Sequence, residues 1–411
     1  MNRTYLDHSA TTPVRREVFE AMVPYLTYAY GNPSSIHSMG REIRADVDVA
    51  RERVAAAIGA RPSEIIFTAG GSEADNLAII GLANMQKTGK NHIITSCIEH
   101  HAVLDTVKYL EKCGFEVTLL PVDCDGMVDP EDVRRAITPQ TFLVSVMHAN
   151  NEIGTIQPIE EIAEIAHCAG ALMHTDAVQT VGHIPVNVND LKVDMLSMSG
   201  HKFYGPKGVG ALYLKQGVKV QPIIHGGSQE RKRRAGTENV AGIVGMGFAI
   251  QLAIGELDNT MAHEAELTRK LINGVMLRIP DTRLNGHPEK RLANNANFSF
   301  SCVEGESLLL KMDMLGICAS SGSACTSGSL EPSHVLLAIG LPHELAHGSV
   351  RFSIGRGTKD QDIDYVLESL PPIVASLREM SPIYYKSECN IKNICDNPCD
   401  CTLMKDKSGC R

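Results

Sequence analysis

The sequence predicts an α/β protein whose mostly parallel sheet is covered on both faces by helices. Three observations predict it. Short apolar runs of strand length alternate with amphipathic stretches over the first two-thirds of the chain. Those runs are short and mainly apolar and read as buried strands, as a sheet covered on both faces requires. The polar, glycine-bearing clusters each follow such a run, where ligands of parallel sheets gather.

The strand-like runs are Ile65-Ile66-Phe67, His92-Ile93-Ile94-Thr95, Val117-Thr118-Leu119-Leu120, Leu143-Val144-Ser145-Val146, Ala171-Leu172-Met173-His174 and Val193-Asp194-Met195-Leu196-Ser197-Met198. Between them, residues 160–169 read as a helix with Ile162, Ile165 and Ala166 on one face. Asp129 followed by Pro130 reads as a helix start, with a capping carboxylate and proline at the first helical position. Near residue 255 the pattern changes. A long polar helix over 259–277 precedes an antiparallel-type segment, Ala296-Asn297-Phe298-Ser299-Phe300. The expected division is a large domain over residues 16–255, a smaller α+β domain from residues 1–15 and 256–386, and a cysteine-rich tail over 387–411.

Composition narrows the function. A net charge of -9 argues against a dedicated nucleic-acid binder. The basic run Arg231-Lys232-Arg233-Arg234 reads either as a solvated loop or as a contact to an acidic partner or another subunit. The first residues carry no apolar signal core, and the most apolar stretch, 243–254, is too short to span a bilayer. A cytoplasmic protein is expected, with no membrane partner. Its 12 cysteines then read as free, catalytic or metal-binding rather than as disulfides.

The chemistry centres on Lys202, in a glycine-rich turn directly after an apolar run, a placement suited to a lysine that reaches an aldehyde cofactor. Asp176 ends the run begun at Ala171. A carboxylate there needs a cationic partner such as a pyridinium nitrogen, although Asp176 taken alone also fits a helix cap. Thr68-Ala69-Gly70-Gly71-Ser72 opens a helix and forms an anion site fit for a phosphate. His100 is either a structural histidine or one that stacks on an aromatic cofactor and moves protons. Arg356, between glycines, suits a carboxylate ligand or a structural ion pair. Cys97 and Cys168 read as core cysteines. Cys325 stands among serines and glycines with nothing apolar to bury it, in a loop expected to be wet and mobile, as a thiol that attacks and delivers requires.

With these residues in place the chain resembles the cysteine desulfurases of the nitrogen-fixation and iron–sulfur-cluster type, pyridoxal-phosphate enzymes akin to the class-V aminotransferases. The resemblance runs from Tyr5-Leu6-Asp7-His8-Ser9-Ala10-Thr11-Thr12-Pro13 to about Tyr365. It rests on Gly31-Asn32-Pro33-Ser34-Ser35, Glu99-His100, Asn150-Asn151-Glu152-Ile153-Gly154, His174-Thr175-Asp176, Ser199-Gly200-His201-Lys202, Arg234-Ala235-Gly236-Thr237 and Ser323-Ala324-Cys325. The segment 229–239 leans toward the nitrogen-fixation branch. The resemblance implies fold-type-I architecture with a seven-stranded sheet and a homodimer with sites near the subunit interface. It also implies a cofactor, pyridoxal 5'-phosphate, bound covalently to Lys202. Asp176 would pair with the ring nitrogen, Gln179 with the ring hydroxyl, and His100 would stack on the ring. Gly71, Ser72, Ser199 and His201 would hold the phosphate, with Thr237 reaching in from the other subunit. Asn151 and Arg356 would bind the carboxylate of L-cysteine. Lys202 would move the Cα proton and Cys325 would take the sulfur as a persulfide for a scaffold or other acceptor protein. By family analogy Cys325 would also be a transient iron–sulfur ligand.

The tail departs from the family pattern, with Cys389, Cys395, Cys399, Cys401 and Cys410 crowded together. An accessory metal or iron–sulfur site, a sulfur relay from Cys325, and a tail without a site are its three readings. Selenocysteine lyase and aminotransferase are alternative enzymes on the same fold. A sulfur or iron–sulfur carrier is the alternative outside catalysis, and the intact set of Lys202, Asp176 and Cys325 argues against it.

Overall fold

The computed structural model describes residues 3–86, 89–321 and 332–381. Its strands are β1 (Thr4–Tyr5), β2 (Ile65–Thr68), β3 (His92–Ser96), β4 (Glu116–Leu120), β5 (Thr141–Ser145), β6 (Leu172–Asp176), β7 (Met195–Ser199), β8 (Gly210–Leu214), β9 (Thr282–Asn285), β10 (Asn295–Phe300), β11 (Ile317–Cys318) and β12 (Ser349–Ser353). Its helices are α1 (Arg16–Thr27), α2 (Ser38–Ala57), α3 (Gly71–Ala83), α4 (His101–Lys112), α5 (Pro130–Ala136), α6 (Ile159–Cys168), α7 (Gln229–Lys232), α8 (Val240–Gly255), α9 (Leu257–Arg278), α10 (Gly305–Met314), α11 (His334–Ala338), α12 (His343–His347) and α13 (Asp360–Met380).

Among the described residues a seven-stranded sheet runs in the order β2-β8-β7-β6-β5-β3-β4. Pairings are parallel except on the two sides of β8. Being antiparallel to both β7 and β2, β8 leaves those two pointing the same way as the rest. Strand residues from Met195 to Ser199 and from Thr141 to Ser145 are all buried, their only polar members being serines and a threonine. One core lies between the sheet and helices including α2, α6 and α8, and a second lies under α3 and α4. The apolar run around 243–254 is α8, packed on α1 and α2. No single helix among the described residues is long and apolar enough to cross a membrane.

The smaller sheet has the order β12-β10-β9, all antiparallel. Its core gathers Leu6 with Phe298, Phe300, Phe352 and the inner faces of α9 and α13. The N-terminal strand β1 pairs in parallel with β11.

Local signals fold as the sequence reads. Asp129 Oδ1 accepts from the Glu131 N–H at 2.9 Å, with Pro130 opening α5. In α6 the buried face holds Ile162, Ile165 and Ala166. Cys168 corrects the expectation of a core cysteine: it is exposed, because it lies beyond the buried face in the last turn of α6, whereas Cys97 is buried. The basic run 231–234 is partly engaged within the chain. Arg234 pairs with Glu73 at 2.9 Å, and Arg231 donates to the Ser63 carbonyl at 2.6 Å.

Candidate active site

Because β2, β3, β5, β6 and β7 all point one way, the segments that follow them meet at one edge of the sheet. These are Gly70–Ser72, Glu99–His100, 148–151, 176–179 and 199–202. This is the C-terminal edge expected to bind ligands.

Lys202 closes the short turn Gly200–Lys202 after β7. Its Nζ donates to the Ser9 and Ala10 carbonyls, the latter at 2.9 Å. Gln179 Nε2 donates to the same Ser9 carbonyl at 3.1 Å. Asp176 ends β6, is buried, and accepts from the Val178 N–H at 2.9 Å. Burial pushes its pKa up, against the pull of His100 and Lys202, which favour the carboxylate. His100 caps α4, its Nδ1 accepting from the Ala102 N–H at 3.1 Å. Burial lowers its pKa, with Lys202 and His101 adding to the fall and Asp176 opposing it. Lys202, Asp176 and His100 thus feel one another's charge.

The first turn of α3 is the anion end of the site. Its N-cap, Gly70, supplies no capping side chain, so the first N–H groups of the helix are left for a ligand. A Cβ on Gly71 would come within 2.7 Å of Val178 Cγ2 and 3.6 Å of Ser199 Cβ. The approach of α3 to the ends of β6 and β7 therefore requires glycine. Ser72 follows in the same turn, and Ser199 is buried at the end of β7. His201 Nδ1 lies 3.1 Å from Thr11 Oγ1, and burial holds its pKa down at about 4. Thr237 is exposed on the surface segment before α8.

On the far side, Asn150 Nδ2 donates to the Ile98 carbonyl at 2.9 Å, and its Oδ1 accepts from the N–H groups of Glu152 and Ile153. That turn presents Asn151, whose carbonyl accepts from Arg351 Nη1 at 2.9 Å. Arg356 follows β12. Its Nε pairs with Glu256 Oε2 at 2.9 Å, and its backbone N–H donates to Tyr204 Oη at 2.7 Å. Cys325 lies outside the described residues, as do Cys389, Cys395, Cys399, Cys401 and Cys410. Among the described residues no group of three or more His, Cys, Asp or Glu could hold a metal ion.

Sequence reasoning missed the lysine's cradle. Two backbone carbonyls, Ser9 and Ala10, receive Nζ, and Thr12 braces the turn, donating from N and Oγ1 to the His201 carbonyl. The run of small polar residues Ser9-Ala10-Thr11-Thr12 was the available signal.

A family model described as aminotransferase class-V matches residues 4–366. A protein named cysteine desulfurase IscS from Dictyoglomus turgidum is 58% identical over 94% of this chain and 98% of its own length. Its namesake from Methanosarcina thermophila is 57% identical over 92% of this chain and 94% of its own length. This chain is a cysteine desulfurase of the class-V aminotransferase family. Among solved structures, one titled NifS-like protein superposes with a TM-score of 0.86 at 40% identity, covering 91% of this chain and all of its own. Another, titled SspA in complex with cysteine, has a TM-score of 0.77 at 39% identity, covering 86% and 99%.

Pyridoxal phosphate is the cofactor expected of this family, and the edge fits it on two counts. The uncapped α3 terminus, where Gly71 leaves no room for a side chain beside Val178, would accept a phosphate. The buried Asp176, held toward its neutral form by desolvation, would regain its charge beside a protonated ring nitrogen.

Proposed function

We propose that this strand edge takes sulfur from L-cysteine, leaving L-alanine and a persulfide on Cys325 for a sulfur-acceptor protein such as an iron–sulfur scaffold. The observation that carries the reading is the convergence of Lys202 and Gln179 on the Ser9 carbonyl, within electrostatic reach of Asp176 and His100.

Bound pyridoxal phosphate supplies an aldehyde for the substrate amine and a ring that accepts the electrons freed at Cα. The chain supplies the rest. The N–H groups of Gly71 and Ser72, the Ser72 and Ser199 hydroxyls and His201 hold the phosphate. Asp176 would keep a proton on the ring nitrogen, Gln179 would pair with the ring hydroxyl, and His100 would stack on the ring. Arg356 and Asn151 fix the substrate carboxylate. Lys202, as the free amine, takes the Cα proton. The Cys325 thiolate attacks the substrate sulfur, so an S–S bond forms as the C–S bond breaks. The electron pair of that bond stays with the carbon, which gains a proton on the way to alanine. A cluster ligated by Cys325 in passing belongs to the same reading of the acceptor step.

A second copy of the chain is part of the proposal. Leu26 in the last turn of α1 and Tyr28, Tyr30 and Ile36 just beyond it crowd 62–91% exposed side chains into one segment. In that dimer Thr237 would reach the partner's phosphate site, as the family resemblance implies.

The test is sulfide and alanine release from L-cysteine with a thiol reductant, before and after adding pyridoxal phosphate. Equimolar sulfide and alanine are expected, and Cys325→Ala should stop both while leaving the protein yellow. A cofactor-loaded protein that releases neither product would overturn the reading.

A further inference from the structure

Behind Asp176 lies an acid that the mechanism above does not use. Asp75 sits on the second turn of α3, the helix whose start cradles the phosphate, and is 1% exposed. Its Oδ1 has no hydrogen-bond partner among the described residues. The charges acting on it are those of Asp176 and Glu99, both acids, while the nearby Ser197 hydroxyl pulls the other way and favours its carboxylate. The nearest base is His174, with Nε2 3.7 Å from Asp75 Oδ1.

His174 is fully buried between two hydroxyls, Ser145 Oγ at 2.8 Å from Nδ1 and Ser197 Oγ at 3.0 Å from Nε2. Burial holds its pKa down at about 3, so it offers Asp75 no cation. Asp176 is differently placed, since His100 and Lys202 both favour its carboxylate. Glu99, a third buried acid, is pushed up to about 8 and is held by the Ser96 hydroxyl and the Met147 N–H. Between Asp75 and Asp176, two anions in one dry pocket cost far more than one, so the proton resides on the acid that no cation faces.

We propose that Asp75 is a positioning residue that carries the proton of this buried acid pair, so that Asp176 alone presents negative charge to the cofactor ring. The inference rests on the reading of Asp176 as the partner of the ring nitrogen. Burial first, and then the charge of Asp176, push the Asp75 carboxyl up, in agreement with the geometry.

The hydrogen-bond chain makes the protonation state visible. A neutral Asp75 donates to Ser197 Oγ, the Ser197 hydroxyl donates to His174 Nε2, and His174 Nδ1–H donates to Ser145 Oγ. An ionised Asp75 reverses each step and places the proton of His174 on Nε2. α3 thereby links the phosphate cradle, at its start, to the charge state behind the ring.

The experiment uses the cofactor-loaded protein. Nitrogen-15 NMR of the wild type at neutral pH should show His174 as the Nδ1–H tautomer, and an Nε2–H tautomer would overturn the proposal without any variant. In infrared difference spectra, Asp75→Asn should lose a protonated-carboxyl band; loss of a carboxylate band instead would overturn it. Asp75→Ala should shift the pH midpoint of the cofactor's visible band by about one unit or more. Asp75→Asn, whose amide still donates to Ser197, should restore it, and failure to restore it would count against the proposal. Asp176→Asn separates the two ideas. An unchanged visible band in that variant would remove the reading of Asp176 while leaving the Asp75 proton measured.

Discussion

Asp176 and Gln179 lie buried on the floor of the large sheet, whereas Arg356 stands on the small-sheet side with 48% of its side chain exposed. The floor holds charge where water cannot screen it, and each buried group there feels its neighbours strongly. Arg356 instead pairs with Glu256, a carboxylate that Arg15 also engages at 2.8 Å. The difference teaches how one site divides its labour. On the proposed reading, a cofactor that stays would be met by fixed, desolvated groups, and a substrate that must leave by a solvated cation that already has a resident partner.

Lys202 gives the largest expected effect. Lys202→Ala should cut kcat by about 100-fold to 10,000-fold, the range for a lost general base. Borohydride should no longer fix the cofactor to the chain. Retention of borohydride-stable cofactor in that variant would place the attachment on another lysine and break the contrast at its fixed side.

The buried floor also predicts a pH dependence of stability. Among the described residues eight histidines are held below their usual range, chiefly by burial: His8, His92, His100, His148, His174, His183, His201 and His334. A depressed imidazole contributes stability that is present above its unfolded value of 6.5 and lost as pH falls through its folded value, about 4 for His148 and about 3 for His174. Five acids are raised and work the other way: Asp75, Glu99, Glu152, Asp176 and Glu264. Their contribution is present below the unfolded carboxyl range and is lost as pH rises, through about 8 for Glu99 and Glu264. The imidazoles outnumber the acids, so Tm should peak near pH 6.5 and fall on acidification toward 4.5, the ordinary Glu value. A thermal-shift series in which Tm climbs steadily down to that pH would show that the acids govern instead.

Arg356 comes next. Arg356→Gln should lower kcat/KM by about 10-fold to 100-fold, the worth of a charge-assisted hydrogen bond of ~1.5–3 kcal/mol. The loss should sit in KM, because the carboxylate is held alike in ground and transition states. A loss confined to kcat would mean that Arg356 acts on the reacting atoms.

Much of this contrast was legible in the chain. The strands of the floor announce themselves as short, mainly apolar runs followed by polar clusters, so Lys202, Asp176, His100 and the Gly71 turn meet where the pattern puts them. The reversed strand β8 was not legible, because local hydropathy carries no direction. Asp75 escaped notice because an acid on a helix ordinarily faces water, and only the packing of α3 on the sheet shows that it does not. The Ser9 and Ala10 carbonyls were hidden for another reason: every residue has a carbonyl, and only the fold selects two of them. Arg356 was read from its glycine neighbours, but its ion pair with Glu256, 100 residues away, needed the tertiary structure.

That ion pair supplies the smallest and sharpest test. If Glu256 competes with the substrate for Arg356, Glu256→Gln should lower KM rather than raise it. Exposed pairs of this kind are worth roughly 0.2–1 kcal/mol, which limits the fall to about fivefold. Arg15 complicates the variant, because it loses the charge of the same carboxylate; its second partner, Glu17 at 3.0 Å, and the remaining amide oxygen keep it engaged. A small drop in Tm is therefore expected from Arg15, and a separate drop in KM from Arg356. The two readouts come apart. A lower Tm with an unchanged KM would mean that Glu256 only braces Arg15. A raised KM would mean that Glu256 orients the guanidinium for its ligand, and the exposed side of the site would then be as pre-set as the buried one.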